Sequence, residues 1–257
     1  MLRVIELWHF FLANLRASYF GAFLLATFLL TKFVSIPFID RYDFIFLCAL
    51  AYQICALIFK FEKPKEFAVI IIFHLLATVM ELFKTNPDIG SWVYPTVGTA
   101  IFTIATVPLF SGFLYSAVGS YISRGFTFLK LTYIRFPAYY HLWILAILIY
   151  LNFFTHHFIY DIRYLLFLYI FIIFFRTQVH FQVYNKVRSM PFLITVLLTS
   201  LFVWIAENVG TFTNIWLYPS QVEYWHLVSL GKLGSWFLLL ILSFALVSII
   251  YRDKLKA

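Results

Sequence analysis

The sequence contains little charge for its length. Only 12% of its 257 residues are Asp, Glu, Lys or Arg, whereas soluble domains contain roughly 25%. By contrast, 63% of the residues are hydrophobic and 22% are aromatic. These charges are too few to cover the surface of a water-soluble globule, and the apolar content excludes a disordered chain. The composition therefore predicts a polytopic membrane protein without a soluble catalytic domain.

Cysteine is nearly absent, and the motifs of common enzymes are missing. Cys48 and Cys55 are the two cysteines, and in a helix they would lie about 10 Å apart along the axis, too far for a disulfide. No Cys-based metal motif, Gly-rich phosphate loop, HExxH sequence, nucleophile elbow or Ser-Lys pair is present. The basic residues behind the net charge of +8 are spread over separate loops, so a nucleic-acid partner is not expected. The cofactor remains unknown, and enzymatic activity remains open.

Eight segments are apolar enough to predict membrane-spanning helices, which need about 20 mostly apolar residues. They are residues 18–37, 43–59, 66–83, 97–122, 139–154, 161–179, 191–209 and 227–251. We therefore predict an all-α bundle of eight transmembrane helices. In the fourth segment Pro108 should kink the helix. Gly112, Ser116 and Ser120 recur there every four residues, which predicts a face for close helix packing.

The basic residues alternate between the two sides of such a bundle. Fourteen of the 19 Lys and Arg residues fall on one side, including Arg3 and Lys256 near the chain ends. The other five are Lys32, Arg41, Lys84, Arg163 and Lys232. Because positive loops stay in the cytoplasm, both termini are predicted to be cytoplasmic, and a seven-span arrangement would break the alternation. Residues 1–17, with a polar and an apolar stripe, predict an amphipathic interfacial helix.

Two similar motifs predict an internal duplication. Glu81 and Thr85 precede Trp-Val-Tyr-Pro, and Glu207 and Thr211 precede Trp-Leu-Tyr-Pro, with a gap two residues longer in the first copy. A shift of about 124 residues, the separation of Trp92 from Trp216, also aligns spans one to four with spans five to eight. An even number of spans in each half predicts parallel repeats related by an axis along the membrane normal. The predicted repeats are residues 18–138 and 139–257.

Several stretches carry a family resemblance. They are residues 81–95, 107–124, 152–157, 206–221 and 229–237. In combination they resemble the YoaT-like family of bacterial integral membrane proteins, a domain-of-unknown-function family. The resemblance implies a multi-pass protein of the bacterial plasma membrane and no particular activity. Residues 207–218 are also similar to membrane-embedded carotenoid-processing proteins, although the Pro-x-Glu-Glu signature of the small lycopene cyclases is missing.

Each motif places a glutamate at the outer end of a predicted span, and an intramembrane carboxylate marks a functional site by default. In a parallel repeat Glu81 and Glu207 would face each other across the central axis. Two carboxylates that share a site tend to hold one proton between them, which suits acid–base catalysis, proton transfer or cation binding. The structural alternative is local pairing, of Glu81 with Lys84 and of Glu207 with Thr211 or Lys232.

Two more residues complete the candidate catalytic group of Glu81, Glu207, Lys232 and His74. Lys232 lies about one turn inside the eighth span, where a Schiff-base amine would need desolvation and a counter-ion. An ion pair with Glu207 is the expected role. His74 lies two turns before Glu81 on the same helix face.

Aromatic and small polar residues beside these groups are the candidate substrate-binding residues. They are Trp92, Tyr94, Trp216, Tyr218, Thr85, Thr211 and Asn208. An aromatic belt with a turn-forming proline explains the Trp-x-Tyr-Pro motifs in structural terms. It does not explain why a carboxylate lies one turn before each threonine.

No metal is assigned, although three residues near the end of the fifth span carry suitable donor atoms. His156, His157 and Asp161 offer nitrogen and oxygen ligands, which suit zinc, iron or manganese. Their spacing matches no known ligand motif.

Three functions remain open. The first, which we favour, is binding or processing of an apolar or amphiphilic molecule, such as a lipid or isoprenoid, in a site open to the outer leaflet. The second is a proton-coupled secondary transporter, although transporter sites usually lie near the bilayer midplane. The third is a membrane assembly or structural factor without chemistry. In each case membrane lipids are the expected partners, and a homo-oligomer is open.

Overall fold

The computed structural model describes residues 2–184 and 186–255, and it describes side chains from residue 4 onward in those ranges. Lys256 and the side chain of Arg3, which enter the charge pattern above, lie outside the described part. The described chain is mostly helical. Its helices are α1 Leu2–Ala17, α2 Tyr19–Phe33, α3 Arg41–Ile58, α4 Pro64–Lys84, α5 Ser111–Phe128, α6 Tyr139–Thr155, α7 Arg163–Phe174, α8 Phe192–Phe212 and α9 Gly231–Ser248.

The expectation of an all-α protein is wrong in part, because the described residues also form two small antiparallel sheets. The strands are β1 Thr103–Ile104, β2 Val107–Pro108, β3 Thr132–Ile134, β4 Gln178–Val183 and β5 Lys186–Pro191. β1 pairs with β2, and β4 lies between β3 and β5. Short 3-10 turns occur at Val97–Thr99, Pro219–Gln221 and Arg252–Lys254.

The long helices are compatible with a membrane protein. By length and composition, α3, α4, α8 and α9 can each cross a membrane, and a fifth crossing results if α1 and α2, which are separated at Ser18, count as one span. α6 and α7 are apolar but shorter. Among the described residues, four or five helical spans therefore satisfy this criterion, and the eight-span bundle stays a prediction.

The fourth predicted span, residues 97–122, is not one helix. Its first part forms the β1–β2 hairpin, in which Ile104 pairs with Val107 and Thr103 pairs with Pro108. Ala105 makes the turn with a φ of 51°. Because Pro108 has no N–H to donate and excludes the helix interior, it lies in β2 before α5 begins, and no helix kink forms there.

The sixth predicted span, residues 161–179, is also shorter than expected. α7 has 12 residues, about 18 Å at the helical rise, and the strand β4 begins at Gln178. From Gln178 to Val183 polar and apolar residues alternate, with Val179 and Val183 buried. This two-residue period is typical of a half-buried strand, and it overrides the apolar composition at the end of the segment.

The described chain divides into two compact units, which we describe separately. Unit 1 comprises residues 1–19, 118–202 and 233–257, and unit 2 comprises residues 20–117 and 203–232. α5 and α8 contribute residues to both. In unit 1, the rings of Tyr133, Phe192 and Phe244 pack together, with the Tyr133 and Phe244 centroids 5.0 Å apart and those of Phe192 and Phe244 5.3 Å apart.

Helix α1 turns its polar side toward the rest of unit 1. Glu6 forms ion pairs with Lys186 at 2.7 Å and with Arg188 at 2.5 Å, and Asn14 accepts a hydrogen bond from the Tyr121 hydroxyl. The opposite side of α1 is an apolar stripe of exposed side chains, consisting of Val4, Leu7, Trp8, Phe11 and Leu15.

In unit 2, α4 and α5 approach each other closely at small residues of α5. Ser116 donates to the Ile70 carbonyl over 3.1 Å, and the His74 ring lies against Gly112 and Phe113. The packing face predicted around Gly112 and Ser116 is therefore observed. It places the C-terminal end of α4, with Glu81, beside the first turns of α5.

Replacing Gly112 by alanine should destabilise the protein, because the added Cβ would lie 2.4 Å from His74 Nδ1. Overpacking of this kind costs about 1–3 kcal/mol, which exceeds the roughly 1 kcal/mol that alanine gains over glycine in a helix. The thermal unfolding midpoint of the purified protein should fall. Gly21→Ala, also helical and 3.9 Å from its nearest neighbour, is the matched control. Equal midpoints for the two variants would contradict the close contact.

Candidate functional site

Unit 2 brings the two Trp-x-Tyr-Pro motifs side by side. Val93, the middle residue of the first, pairs with Leu217, the middle residue of the second, in an antiparallel bridge. Each N–H donates to the other residue's carbonyl over 2.9 Å. Antiparallel residues that exchange both bonds are related by a local two-fold axis, so the motifs occupy equivalent positions about that axis.

The second motif is positioned by the way α8 ends. Asn214 has a φ of 57°, the left-handed conformation that asparagine tolerates better than most residues, and the Ile215 N–H donates to the Gly210 carbonyl over 3.0 Å. This arrangement is a Schellman motif, which closes a helix. The chain then folds back so that Trp216 packs on Gly210, where a Cβ would lie 2.1 Å from the indole. This close approach requires glycine.

Glu81 is buried, with 3% of its surface exposed, and it accepts three hydrogen bonds from neutral donors. Trp92 Nε1 and the Tyr94 hydroxyl each donate to Oε2 over 2.9 Å, and the Tyr115 hydroxyl donates to Oε1 over 2.8 Å. Such donors offset the hydration that a carboxylate loses on burial. Among the described residues no lysine or arginine pairs with Glu81, so the alternative of an ion pair with Lys84 is wrong.

The three donors can serve Glu81 in either protonation state. The Trp92 indole can only donate, whereas a tyrosine hydroxyl can donate or accept. If Glu81 takes up a proton on Oε1, the Tyr115 hydroxyl can rotate and accept it, while Trp92 and Tyr94 continue to donate to Oε2. The geometry therefore offers the added proton an acceptor, and the Tyr115 O–H then no longer donates to Glu81.

Glu207 is equally buried, with 3% of its surface exposed, but its surroundings differ. The Tyr218 hydroxyl donates to its Oε1, as Tyr94 does to Glu81. Trp216, however, packs on Gly210. The two motifs therefore share their backbone placement and their Tyr–Glu bond, and they differ in the role of the tryptophan.

A pair of rings connects the two carboxylates. Trp92, which donates to Glu81, meets Tyr218, which donates to Glu207, edge to face with centroids 6.2 Å apart. Lys232 Nζ lies 4.1 Å from the Tyr218 ring centroid and 5.8 Å from that of Trp92. The structure thus brings together the six predicted site residues Glu81, Glu207, Lys232, Trp92, Tyr94 and Tyr218.

The two motif tyrosines lie in loops outside the helices, and the pKa of each is raised. Burial raises the pKa of Tyr94 and Tyr218 well above its usual value, and the adjacent carboxylate charge raises the pKa of each further. For Tyr218 both Glu207 and Glu81 contribute to the raised pKa. Both hydroxyls therefore stay protonated near neutral pH and remain hydrogen-bond donors. The Tyr218 hydroxyl is close enough to both carboxylates for each charge to raise its pKa.

The predicted polar lining residues instead fasten the surrounding loops. Thr85 Oγ1 donates to the Glu81 backbone carbonyl over 2.9 Å, and Thr211 Oγ1 accepts from Trp225 Nε1 over 3.1 Å. Asn208 Oδ1 accepts from the Val228 N–H over 2.9 Å. These side chains hold the segments that follow α4 and α8.

His74 does not join the carboxylate network. Its Nδ1 is buried without a hydrogen-bond partner among the described residues, and burial against Gly112 and Phe113 accounts for its position. No hydrogen bond connects it to Glu81. The shared helix face that the sequence indicates therefore gives His74 Nδ1 no hydrogen-bond partner among the described residues.

Two basic residues of the predicted outer side cap the end of α8. Lys32 donates to the Phe212 carbonyl, and Arg41 donates to the Thr213 carbonyl over 2.8 Å. Cations at a helix C-terminus satisfy its free carbonyls and interact favourably with its dipole. These two cations fix the C-terminal end of α8, which directly precedes Trp216 and Tyr218 in the chain.

The weaker metal candidates are engaged in local contacts of unit 1. Asp161 pairs with Arg163 at 2.5 Å and accepts from Asn152, and His156 Nδ1 lies 2.7 Å from the Asn152 carbonyl. In the part of the chain that the structure describes, no three His, Cys, Asp or Glu side chains form a metal-binding group.

Sequence reasoning missed Tyr115, which completes the environment of Glu81. The repeat gives no signal for it, because its counterpart at the same shift is Leu239. The available signal was its position on α5 next to Gly112 and Ser116, the small residues that predict close approach of another helix. A hydroxyl beside such a contact reaches the neighbouring helix.

The structure and site thus define a mostly helical protein whose long apolar helices are compatible with a membrane, with a buried carboxylate and aromatic network in unit 2. Residues 6–244 match the family described as "Protein of unknown function (DUF817)". The chain is also 38% identical over 246 residues to "Uncharacterized protein YoaT" of Bacillus subtilis (strain 168), an alignment that covers 96% of this chain and 92% of that protein. The chain belongs to the DUF817 family, which confirms the YoaT-like resemblance. No solved structure matches it significantly.

The bond between Glu81 and Tyr115 can be tested by a double-mutant cycle. Glu81→Gln should be tolerated, because the amide oxygen can accept from Trp92 and Tyr94 while the amide nitrogen donates to the Tyr115 hydroxyl. Tyr115→Phe should cost about 1.5–3 kcal/mol, because it removes a hydrogen bond to a charged group. In the Glu81→Gln background the same change removes a neutral hydrogen bond of about 0.5–1.5 kcal/mol, so the double variant should be more stable than the sum of the two by about 1 kcal/mol.

The measurement is the free energy of unfolding of the four proteins in the same detergent. Tyr169→Phe, which removes a hydroxyl bonded to His141 in unit 1, is the control and should combine additively with Glu81→Gln. Additive effects for Tyr115→Phe as well would show that the Glu81–Tyr115 bond is not present.

Proposed function

We propose that this protein is an integral protein of the bacterial plasma membrane that binds or processes an amphiphilic molecule, such as a lipid or isoprenoid, at the unit 2 site. The observation that carries the proposal is the Trp92–Tyr218 ring pair, which joins two buried carboxylates and holds an ammonium group over its rings. Aromatic walls provide apolar contact area, and a few fixed polar groups orient a headgroup. Glu81 and Glu207 are its acid–base or headgroup-binding groups.

The proposed architecture is a bundle of eight spans built from two four-helix repeats. Each proposed repeat contains four helices, α2 to α5 in the first and α6 to α9 in the second. The equivalent helices α4 and α8 have 21 residues each and end at the same Glu-x-x-x-Thr pattern. The pairing of Val93 with Leu217, which occupy the same position in the two motifs, supports the duplication. A parallel repeat of this kind has its axis along the membrane normal.

The proposed orientation has both termini in the cytoplasm and α1 at the membrane interface. α1 turns Glu6 toward Lys186 and Arg188 and leaves its apolar stripe exposed. A helix whose apolar side faces away from its own protein suits the boundary between headgroups and acyl chains. The excess of Lys and Arg on the same side supports a cytoplasmic location.

Labelling of single cysteines tests this orientation. In a variant without Cys48 and Cys55, Tyr224→Cys lies in an exposed loop on the predicted outer side and should react with a membrane-impermeant maleimide in intact protoplasts. Asp253→Cys, exposed near the C-terminus, should react only after permeabilisation. Equal labelling of both positions in intact protoplasts would contradict the eight-span orientation.

Co-purification tests the binding site. The protein, extracted in mild detergent, should carry a specific amphiphile detectable by mass spectrometry, and Glu81→Gln/Glu207→Gln should retain at least about tenfold less, since losing one charged hydrogen bond costs about 1.5–3 kcal/mol. Glu223→Gln, which removes an exposed carboxylate in the same unit, is the matched control. Bulk phospholipid alone in all three proteins would reject the binding proposal.

A proton-coupled transporter is the second candidate, and a specific observation favours it. The donors around Glu81 can serve both of its protonation states, which a proton-accepting group requires. If no amphiphile co-purifies but reconstituted wild-type protein takes up protons with a solute, and Glu81→Gln abolishes that uptake, transport is the better assignment. Absence of both activities would favour the assembly or structural role.

A further inference from the structure

The ammonium group of Lys232 lies in a small box formed by two aromatic rings. The Tyr218 centroid is 4.1 Å away and the Trp92 centroid is 5.8 Å away, and the two rings stand nearly perpendicular, at 79°. Aromatic faces attract cations when the centroid lies within about 6 Å. Both walls of the box therefore contribute to holding the ammonium group.

Hydrogen bonds to the two carboxylates hold the rings of this box in place and increase their attraction for a cation. The polar edge of Trp92 is bonded to Glu81, and that of Tyr218 is bonded to Glu207. A hydrogen bond from a ring N–H or O–H to a carboxylate polarises the ring and makes its face more negative. Trp92 and Tyr218 are thus fixed in position, and their faces attract cations more strongly than those of unbonded rings.

The chemistry of the box favours an organic ammonium over a metal ion. Hard metal cations need several oxygen ligands, and both oxygens of Glu81 are already occupied by Trp92, Tyr94 and Tyr115. Aromatic faces instead suit weakly hydrated cations such as alkylammonium and choline-like groups. Lys232 itself is an alkylammonium on a four-carbon chain, so the protein already contains one occupant of this class.

Lys232 enters the box from a segment that is open to the surroundings. It is the second residue of α9, and Ser229, Leu230 and Gly231 before it are exposed, with Leu230 at 70%. Lys232 itself is partly buried. Lys232 thus reaches the rings from an exposed segment, whereas Glu81 and Glu207 are buried.

We propose that the Trp92–Tyr218 box is a binding site for an organic ammonium group and that Lys232 occupies it as an intramolecular substitute. The ligand class is an amphiphile with an ammonium headgroup, whose cation displaces the lysine. This assignment rests on the function proposed above, because it names the headgroup chemistry of the same site.

Chemical rescue tests the assignment. Lys232→Ala removes the occupant and should lower the thermal unfolding midpoint in a neutral detergent. Added n-butylammonium should raise the midpoint of this variant by several degrees in a concentration-dependent manner, because a ligand that binds the folded state stabilises it. Butan-1-ol, a neutral molecule of the same chain length, should have no comparable effect. If Lys232→Ala does not fold, Lys232→Ser provides the same test with another short neutral side chain.

Lys232→Met is the matched control, because its uncharged side chain fills the box. Its midpoint should not respond to n-butylammonium, and the wild type should bind the probe at least about tenfold more weakly than Lys232→Ala. The proposal is overturned if n-butylammonium fails to stabilise the vacated variants, if butan-1-ol stabilises them equally, or if Lys232→Met responds equally.

The outcome is separable from that of the binding proposal. If rescue fails while wild-type protein still carries an amphiphile that Glu81→Gln/Glu207→Gln loses, the site binds its ligand through other headgroup chemistry. If rescue succeeds while only bulk phospholipid co-purifies, the ammonium box is present, and the binding function proposed above is rejected.

Discussion

The arrangement of unit 2 depends on supplying hydrogen-bond donors to two buried carboxylates. Glu81 and Glu207 are each 3% exposed, and a buried charge without partners is prohibitively unfavourable. Neutral donors from the loop after α4 and from α5 satisfy Glu81, and Tyr218 from the loop after α8 serves Glu207. The middle residues of these two loops pair in the bridge between Val93 and Leu217.

The candidate site could be predicted from the sequence because burial of a glutamate side chain costs free energy. Glutamate in an apolar segment demands an explanation, and the repeated Trp-x-Tyr-Pro pattern pointed to its partners, so six predicted residues meet in the structure. Side-chain direction was not predictable. Trp92 donates to Glu81 while Trp216 packs on Gly210, because the second copy has glycine where the first has Lys84. Tyr115 has no counterpart in the repeat, and it was missed.

The fold was predicted well where apolar runs are long and poorly where they are short. α3, α4, α8 and α9 follow from hydropathy alone, since each is long enough to cross a membrane. The helix predictions for the segment around Pro108 and for the end of the sixth span were wrong because hydropathy does not determine the backbone conformation. An apolar run records burial, whereas proline and a two-residue alternation decide backbone conformation. In residues 97–122 and 161–179 the backbone signals prevail over composition.

Trp92 links the two halves of the proposed chemistry. Its N–H donates to Glu81, and its ring is one wall of the box that holds Lys232. Protonation of Glu81 would weaken the acceptor for that N–H, because charged acceptors bond more strongly than neutral ones. The Trp92 face would then attract a cation less. Under the proposed function, proton uptake at Glu81 would favour release of an ammonium group from the box, because one indole contacts both groups. Ligand binding and proton movement would then be coupled at the same site.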